Sequence, residues 1–217
     1  LEEESKKVQT DVVVIDSGQT NVHYLTSAEA KKDIENSILC QLSYQYPCQS
    51  LPIIAITDGA RCIRTRLINL FGNGIQIILD WYHLEDKVRK YLSRLGLDKT
   101  IKEAHIKEIL AYLWHGKAVE ALIYTDEMID TKKTSILQEL QDYIFKHRSE
   151  ICNYEKRQKF ARKVIGSGKG EKANDIIVAQ RQKKKAMAWS KKGANALTVL
   201  KTVDANGLWE LYWDIAA

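Results

Sequence analysis

Apolar and polar positions along the chain change period several times, and each change predicts an element. Asp11 to Asp16 (DVVVID) is a β-branched run that reaches turn residues at Ser17-Gly18, and Asn21 to Leu25 resumes the extended pattern, so the pair predicts a hairpin. Ser27 can cap a helix, and Ile34, Ile38, Leu39 and Leu42 then recur at helical spacing. Leu51 to Thr57 is a continuous apolar run of strand length, as expected of a strand covered on both faces. It runs into Asp58-Gly59. A helix follows with Ile63, Leu67 and Leu70, ending at Gly72-Asn73-Gly74. Ile75 to Leu79 is a second buried strand, ending in Asp80. From Trp81 a helix carries Leu84, Val88, Tyr91, Leu92 and Leu95 on one face, and Gly96 closes it.

Strand signal then stops. Between Lys99 and about Arg157 the apolar positions have helical spacing only: Ile106, Ile109, Leu110 and Leu113, then Val119, Leu122 and Ile123, then Ile136, Leu137, Leu140 and Ile144. Further helices are expected from about Glu171 to Gln182 and around Ala194 to Val203, followed by an aromatic tail (Trp209, Tyr212, Trp213). Buried strands alternating with helices predict an α/β core with a mixed sheet. The organisation expected is a first core segment over 11–98, an all-helical insertion over 99–157, and C-terminal core helices with a basic segment over 158–217.

Composition narrows the class. The 217 residues are 45% hydrophobic and 28% charged, which excludes a disordered or collagen-like chain and gives enough length for a real core. The longest apolar runs are too short to span a bilayer, and no basic-then-apolar leader opens the chain, so no membrane partner and no secretion are expected. The chain opens at Leu1, and the reading is that sequence upstream has been lost. Four cysteines lack CxxC spacing, so reduced thiols are expected and no structural zinc.

The net charge of +5 hides an asymmetry. Lys156 to Lys192 holds 13 Lys/Arg against two acids, a local +11 that leaves the rest of the chain at −6. A stripe of that density fits phosphate binding, although a solvated helical face has the same composition. Within it, Gly166-Ser167-Gly168-Lys169-Gly170 could offer backbone N–H groups to anions, but the spacing is not that of a phosphate-binding P-loop.

Three acids carry candidate chemistry. Asp58 follows the carboxyl end of a central strand, where ligands of open α/β sheets gather; a turn or helix-cap residue is the plainer reading. Asp80-Trp81-Tyr82-His83 also leaves a strand and enters a helix, and Asp80 as a cap is again sufficient. Glu171 stands among cations at a helix start, suited either to the helix dipole or to a metal beside bound phosphate. On helical spacing Glu171, Asn174, Asp175 and Val178 share one face.

Taken in order, Ile56-Thr57-Asp58-Gly59-Ala60, Leu79-Asp80-Trp81-Tyr82-His83-Leu84, Gly170-Glu171-Lys172-Ala173-Asn174-Asp175 and the stretch Arg181 to Ser190 resemble bacterial insertion-sequence transposases of the DDE type. The resemblance runs from about Val12 to the C-terminus. It implies a ribonuclease-H-like core with an all-helical insertion, and Mg²⁺ or Mn²⁺ as cofactor. It makes Asp58 the second acid of the triad and Glu171 the third, both metal ligands. Asp80 and His83 match the D-x-x-H element between them, which places His83 among the catalytic residues. The function implied is metal-dependent DNA strand cleavage and transfer in transposition, on transposon ends and target DNA. A homo-oligomer assembled on DNA and a cytoplasmic, nucleoid-associated bacterial location are also implied. Lys169, Lys172, Arg181, Lys183, Lys184 and Lys185 would contact DNA.

In that fold three strands precede the first helix, and the first acid lies on the first of them. Only two strands fit before Ser27, so the first acid is expected upstream of Leu1, with Asp16 the lesser candidate. The 217 residues alone are therefore expected to be inactive. A non-catalytic DNA-binding remnant and a ribonuclease-H-like nuclease or resolvase are the alternatives. An α/β phosphate-ligand protein is disfavoured by the missing phosphate-loop fingerprint.

Overall fold

The computed structural model describes residues 8–18, 22–28, 31–47, 51–128, 134–160, 164–183 and 188–216. Their contacts divide the chain into two units, one formed by Leu1–Leu51 with Gly168–Ala217 and the other by Pro52–Ser167. The α/β class expected from the patterning holds. Among the described residues the strands form two pairs, one antiparallel and one parallel. No helix of the described residues is long and apolar enough to cross a membrane.

In the Pro52–Ser167 unit, β3 (Ile53–Thr57) and β4 (Ile75–Leu79) pair in parallel, Ile53 opposite Ile75 and Thr57 opposite Leu79. (The hairpin strands β1, Asp11–Asp16, and β2, Val22–Ser27, and the helix α1, Lys31–Gln45, belong to the other unit.) Parallel neighbours need a crossover, supplied here by α2 (Arg61–Phe71) and a short 3₁₀ turn at Gly72–Gly74. α3 (Trp81–Arg94) is capped by Asp80 and ends at Leu95, with Gly96 at φ 61°. The stretch without strand signal forms α4 (Lys99–Trp114), α5 (Ala118–Glu127), α6 (Thr134–His147) and α7 (Tyr154–Phe160).

These helices share one core with α3 and β4. Leu79, Leu84, Val88 and Leu92 are fully buried together with Ile109, Leu113, Ala121, Leu140 and Ile144. In α4 and α6 the apolar positions Ile106, Ile109, Leu113, Leu137, Leu140 and Ile144 face inward as expected, but α5 buries Ala118, Ala121 and Thr125 and leaves Val119 and Ile123 exposed, a correction to the spacing read there. Beside α3, Trp81 meets Trp114 edge-on at 4.8 Å and Tyr154 at 5.0 Å between ring centroids. The Tyr154 hydroxyl donates to the Leu79 carbonyl at 2.8 Å, satisfying the last acceptor of β4.

In the other unit β1 (Asp11–Asp16) and β2 (Val22–Ser27) form the expected hairpin, Val14 opposite Tyr24. β2 is flanked by α1 (Lys31–Gln45) and α10 (Lys191–Ala205), and α11 (Trp209–Ala216) ends the chain. The helical run expected from Glu171 starts earlier, as α8 (Gly168–Asn174), and passes through a π turn at Asp175–Ala179 into α9 (Gln180–Gln182). Ala173, Ile177 and Val178 are its buried side, packed against Val12, Val14 and Tyr24. Val178 therefore does not share an exposed face with Glu171, because the π turn breaks the 3.6-residue spacing on which that reading depended.

Candidate functional site

The parallel pair delivers Asp58 to the carboxyl edge of β3, where the chain must turn into α2. The turn is built locally: the Ala60 N–H donates to Asp58 Oδ1 at 2.9 Å, and the Gly59 N–H donates to Thr57 Oγ1 at 3.2 Å. Asp58 is exposed, so one carboxylate oxygen closes the turn while the side chain as a whole stays open to solvent. Gly59 is buried at φ 83°, and a Cβ there would lie 2.8 Å from His147 Cε1 and 2.9 Å from Leu79 Cδ1. Conformation and space both demand glycine at this position.

Behind the turn lies a buried polar group that neither spacing nor motif singles out. His147, 1% exposed at the end of α6, bonds through Nδ1 to Glu150 Oε2 at 2.7 Å. Arg64 of α2 places Nε 3.1 Å from the other oxygen of Glu150, an ion pair without hydrogen-bond alignment. The Tyr143 ring lies tilted against His147, 4.8 Å between centroids, and its buried hydroxyl finds no hydrogen-bond partner among the described residues. Burial above all, then the negative charge of Asp58 and Glu150, pushes the Tyr143 phenol far above its ordinary pKa. The pattern of α6 signals only an amphipathic helix, with nothing to mark His147 as more than a residue of its last turn.

Asp80 has a different environment from Asp58. It is 1% exposed, and both of its oxygens accept hydrogen bonds, Oδ1 from the N–H groups of Tyr82 and His83 and Oδ2 from Ser167. His83 is half-buried in the first turn of α3. The Gly166-Ser167 part of the glycine run is committed here as well. The Ser167 N–H donates to Asp80 at 2.6 Å, so it is not offered to an anion.

In the other unit, Asp16 closes a turn by accepting the Gly18 N–H at 2.8 Å through Oδ1, and its Oδ2 pairs with Lys169. Lys169, one of the expected phosphate contacts, thus neutralises the lesser candidate for the first acid. Glu171, Lys172, Arg181 and Lys183 are exposed along α8, α9 and the residue after it. Lys184 and Lys185 lie outside the described residues.

The donor set can be tested against a hard divalent cation, which takes oxygen ligands from carboxylates. Asp58 and Glu171 are each an exposed carboxylate, the kind of group such an ion takes. Asp80 does not fit, because its lone pairs are already engaged by four protein donors.

No protein-family model matches the chain, and no solved structure matches it. A Streptococcus gallolyticus protein described as "UPF0236 protein in vanSb 3′region" is 24% identical over 200 residues. The match takes in 89% of this chain, which spans only 42% of that protein's length.

Proposed function

We propose that the chain is the greater part of a DDE-type transposase catalytic domain, of ribonuclease-H-like architecture, that cleaves and transfers DNA strands. The observation that carries the reading is Asp58: an exposed carboxylate just past the end of a parallel strand, on a turn that only glycine can complete. Its support is the ordered set of motifs around Asp58, Asp80-x-x-His83 and Glu171, and the basic run in which Glu171 stands. A bound pair of Mg²⁺ or Mn²⁺ ions would supply activation of the attacking water or 3′-OH and charge stabilisation at the leaving oxygen.

The chain's own residues do the rest. Asp58 and Glu171 would each supply a carboxylate ligand, the turn at Gly59 keeps the Asp58 carboxylate at the strand edge, and His83 offers a half-buried imidazole for proton transfer. Lys172, Arg181 and the lysines from 183 to 185 bind phosphates, which position the duplex without reading its sequence.

The test is nicking and strand transfer by the full-length product of the reading frame, on duplexes with free 3′-OH ends. Metal-dependent cleavage and joining is expected, lost by at least about a thousandfold in Asp58→Asn and in Glu171→Gln, since each removes a ligand needed by the charged transition state. Asp16→Asn should leave activity in place. DNA binding without metal, indifferent to Glu171→Gln, would establish a non-catalytic DNA-binding protein instead. Cleavage without joining would establish a nuclease.

A further inference from the structure

Among the described residues of the Pro52–Ser167 unit, Asp80 is the most heavily engaged acid. Oδ1 accepts the N–H groups of Tyr82 at 2.7 Å and His83 at 3.2 Å, which caps α3. Oδ2 accepts both the N–H of Ser167, at 2.6 Å, and its hydroxyl. A cap needs only the first pair; the second ties down a residue 87 positions away. The surroundings reinforce the tie. Trp81 N–H donates to the Ile165 carbonyl at 3.0 Å, and Asp80's own N–H donates to the Thr57 carbonyl at 2.8 Å, where β3 ends. Gly166 lies so close that a Cβ on it would stand 2.6 Å from the Tyr82 ring and 3.2 Å from Asp80 Oδ1. Ile165 to Ser167 is therefore docked onto the start of α3 by backbone, side chain and shape together.

Ser167 directly precedes α8, and Glu171 stands four residues further on. We propose that Asp80 and Ser167 are positioning residues for the candidate active site. On this assignment Asp80 is not a metal ligand; it anchors the point from which the Glu171 helix departs. The proposal rests on the transposase reading for its function, but the anchor itself is a property of the fold.

Two substitutions separate anchor from ligand. Asp80→Asn keeps an oxygen for the α3 cap but turns an NH₂ group toward the Ser167 N–H, replacing attraction with donor-to-donor repulsion. Ser167→Ala leaves the Asp80 carboxylate whole and removes only the hydroxyl bond, and Ser167→Thr restores it. The measurements are amide hydrogen exchange over residues 164–168, cleavage rate at saturating DNA, and DNA affinity, all on the full-length product.

Exchange at the Ser167 amide should quicken by about tenfold or more in Asp80→Asn and less in Ser167→Ala, in keeping with loss of charge-assisted bonds. The cleavage rate should fall in both, by about a hundredfold and about tenfold, as expected when a reacting group is misplaced. DNA affinity should stay unchanged, and Ser167→Thr should recover exchange and rate. Loss of cleavage in Asp80→Asn with full activity and unchanged exchange in Ser167→Ala would overturn the proposal and make Asp80 act directly. If the wild-type protein shows no metal-dependent cleavage, the transposase reading fails. The exchange measurements then still decide the anchor: unaltered protection in both variants would refute it.

Discussion

Tyr154 shows how much one side chain can hold in this protein. Its ring is fully buried between Trp81 and Trp114, and its hydroxyl serves the Leu79 carbonyl at the end of β4. Tyr154→Phe should cost about 1–3 kcal/mol at neutral pH, since a buried acceptor is left without its donor; urea unfolding measures it. Burial also drives the Tyr154 phenol far above its ordinary pKa of 10.0, with nearby negative charge adding to the shift. The sign follows from proton linkage. Above pH 10 the unfolded chain releases the phenolic proton while the native state retains it, so stability is complete below about pH 10 and declines above it. The slope is about 1.4 kcal/mol per pH unit for each such tyrosine. Wild-type stability should therefore fall more steeply than that of Tyr154→Phe between pH 10 and 12.

At the scale of elements, the two strand pairs are completed in different ways. In the parallel pair Ile78 and Leu79 of β4 are buried in a deep helical core with Ile56 of β3 packed against it, whereas every residue of β1 and β2 is only half-buried. A two-stranded hairpin is marginal alone, and its outer edge needs a partner. That partner is a side chain. Asn206, just after α10, donates through Nδ2 to the Tyr24 carbonyl and accepts the Tyr24 N–H through Oδ1, both at 2.9 Å, as a neighbouring strand would. Thr202 adds a bond to Thr26 at 2.7 Å, and Asn195 accepts the Ala28 N–H at 3.0 Å. Asn206→Ala should destabilise the protein by about 1–3 kcal/mol by stripping both groups of Tyr24. Exchange of the Tyr24 amide should quicken while that of β4 amides stays unchanged; equal loss of protection in β4 would show that Asn206 does not act on this edge. The hairpin, the parallel pair and the helical stretch were all legible as elements. Asn206 was not, because polar edge-capping leaves no periodic mark.

For the molecule as a whole, charge is the property most unevenly spread. Residues 156–192 carry +11 within a chain of net +5. Local acids offset part of it: Lys159 pairs with Glu155 and Lys169 with Asp16, so not every cation in the run is open to phosphate. Duplex DNA should be bound without sequence preference, and affinity should fall steeply with salt as counterions are released. Neutralising Lys183, Lys184 and Lys185 together should flatten the log–log slope by about two to three units, at roughly 0.9 for each phosphate contact. Lys159→Gln, already paired, should change it by less than about one unit. Equal slopes for wild type and the triple variant would make the stripe a solvated face.

The sequence by itself determined what depends on neighbours along the chain. Strand and helix order followed from period, the acids Asp58 and Asp80 stood at strand ends as written, and Asp80 had the local signature of a cap. Those features are set by φ/ψ preference and by which face an element buries, both carried by residues a few positions apart. Tertiary structure alone decided the partners: Ser167 on Asp80 across 87 residues, Asn206 on Tyr24 across 182, and His147 with Glu150 behind Gly59. It also placed the π turn that sends Val178 into the core and leaves Glu171 exposed. Periodicity states that a residue is buried or exposed, but only the path of the folded chain states against what. That is why Asp58 and Asp80, two aspartates in matching sequence contexts, differ: one is open at the surface, and the other has no lone pair to spare.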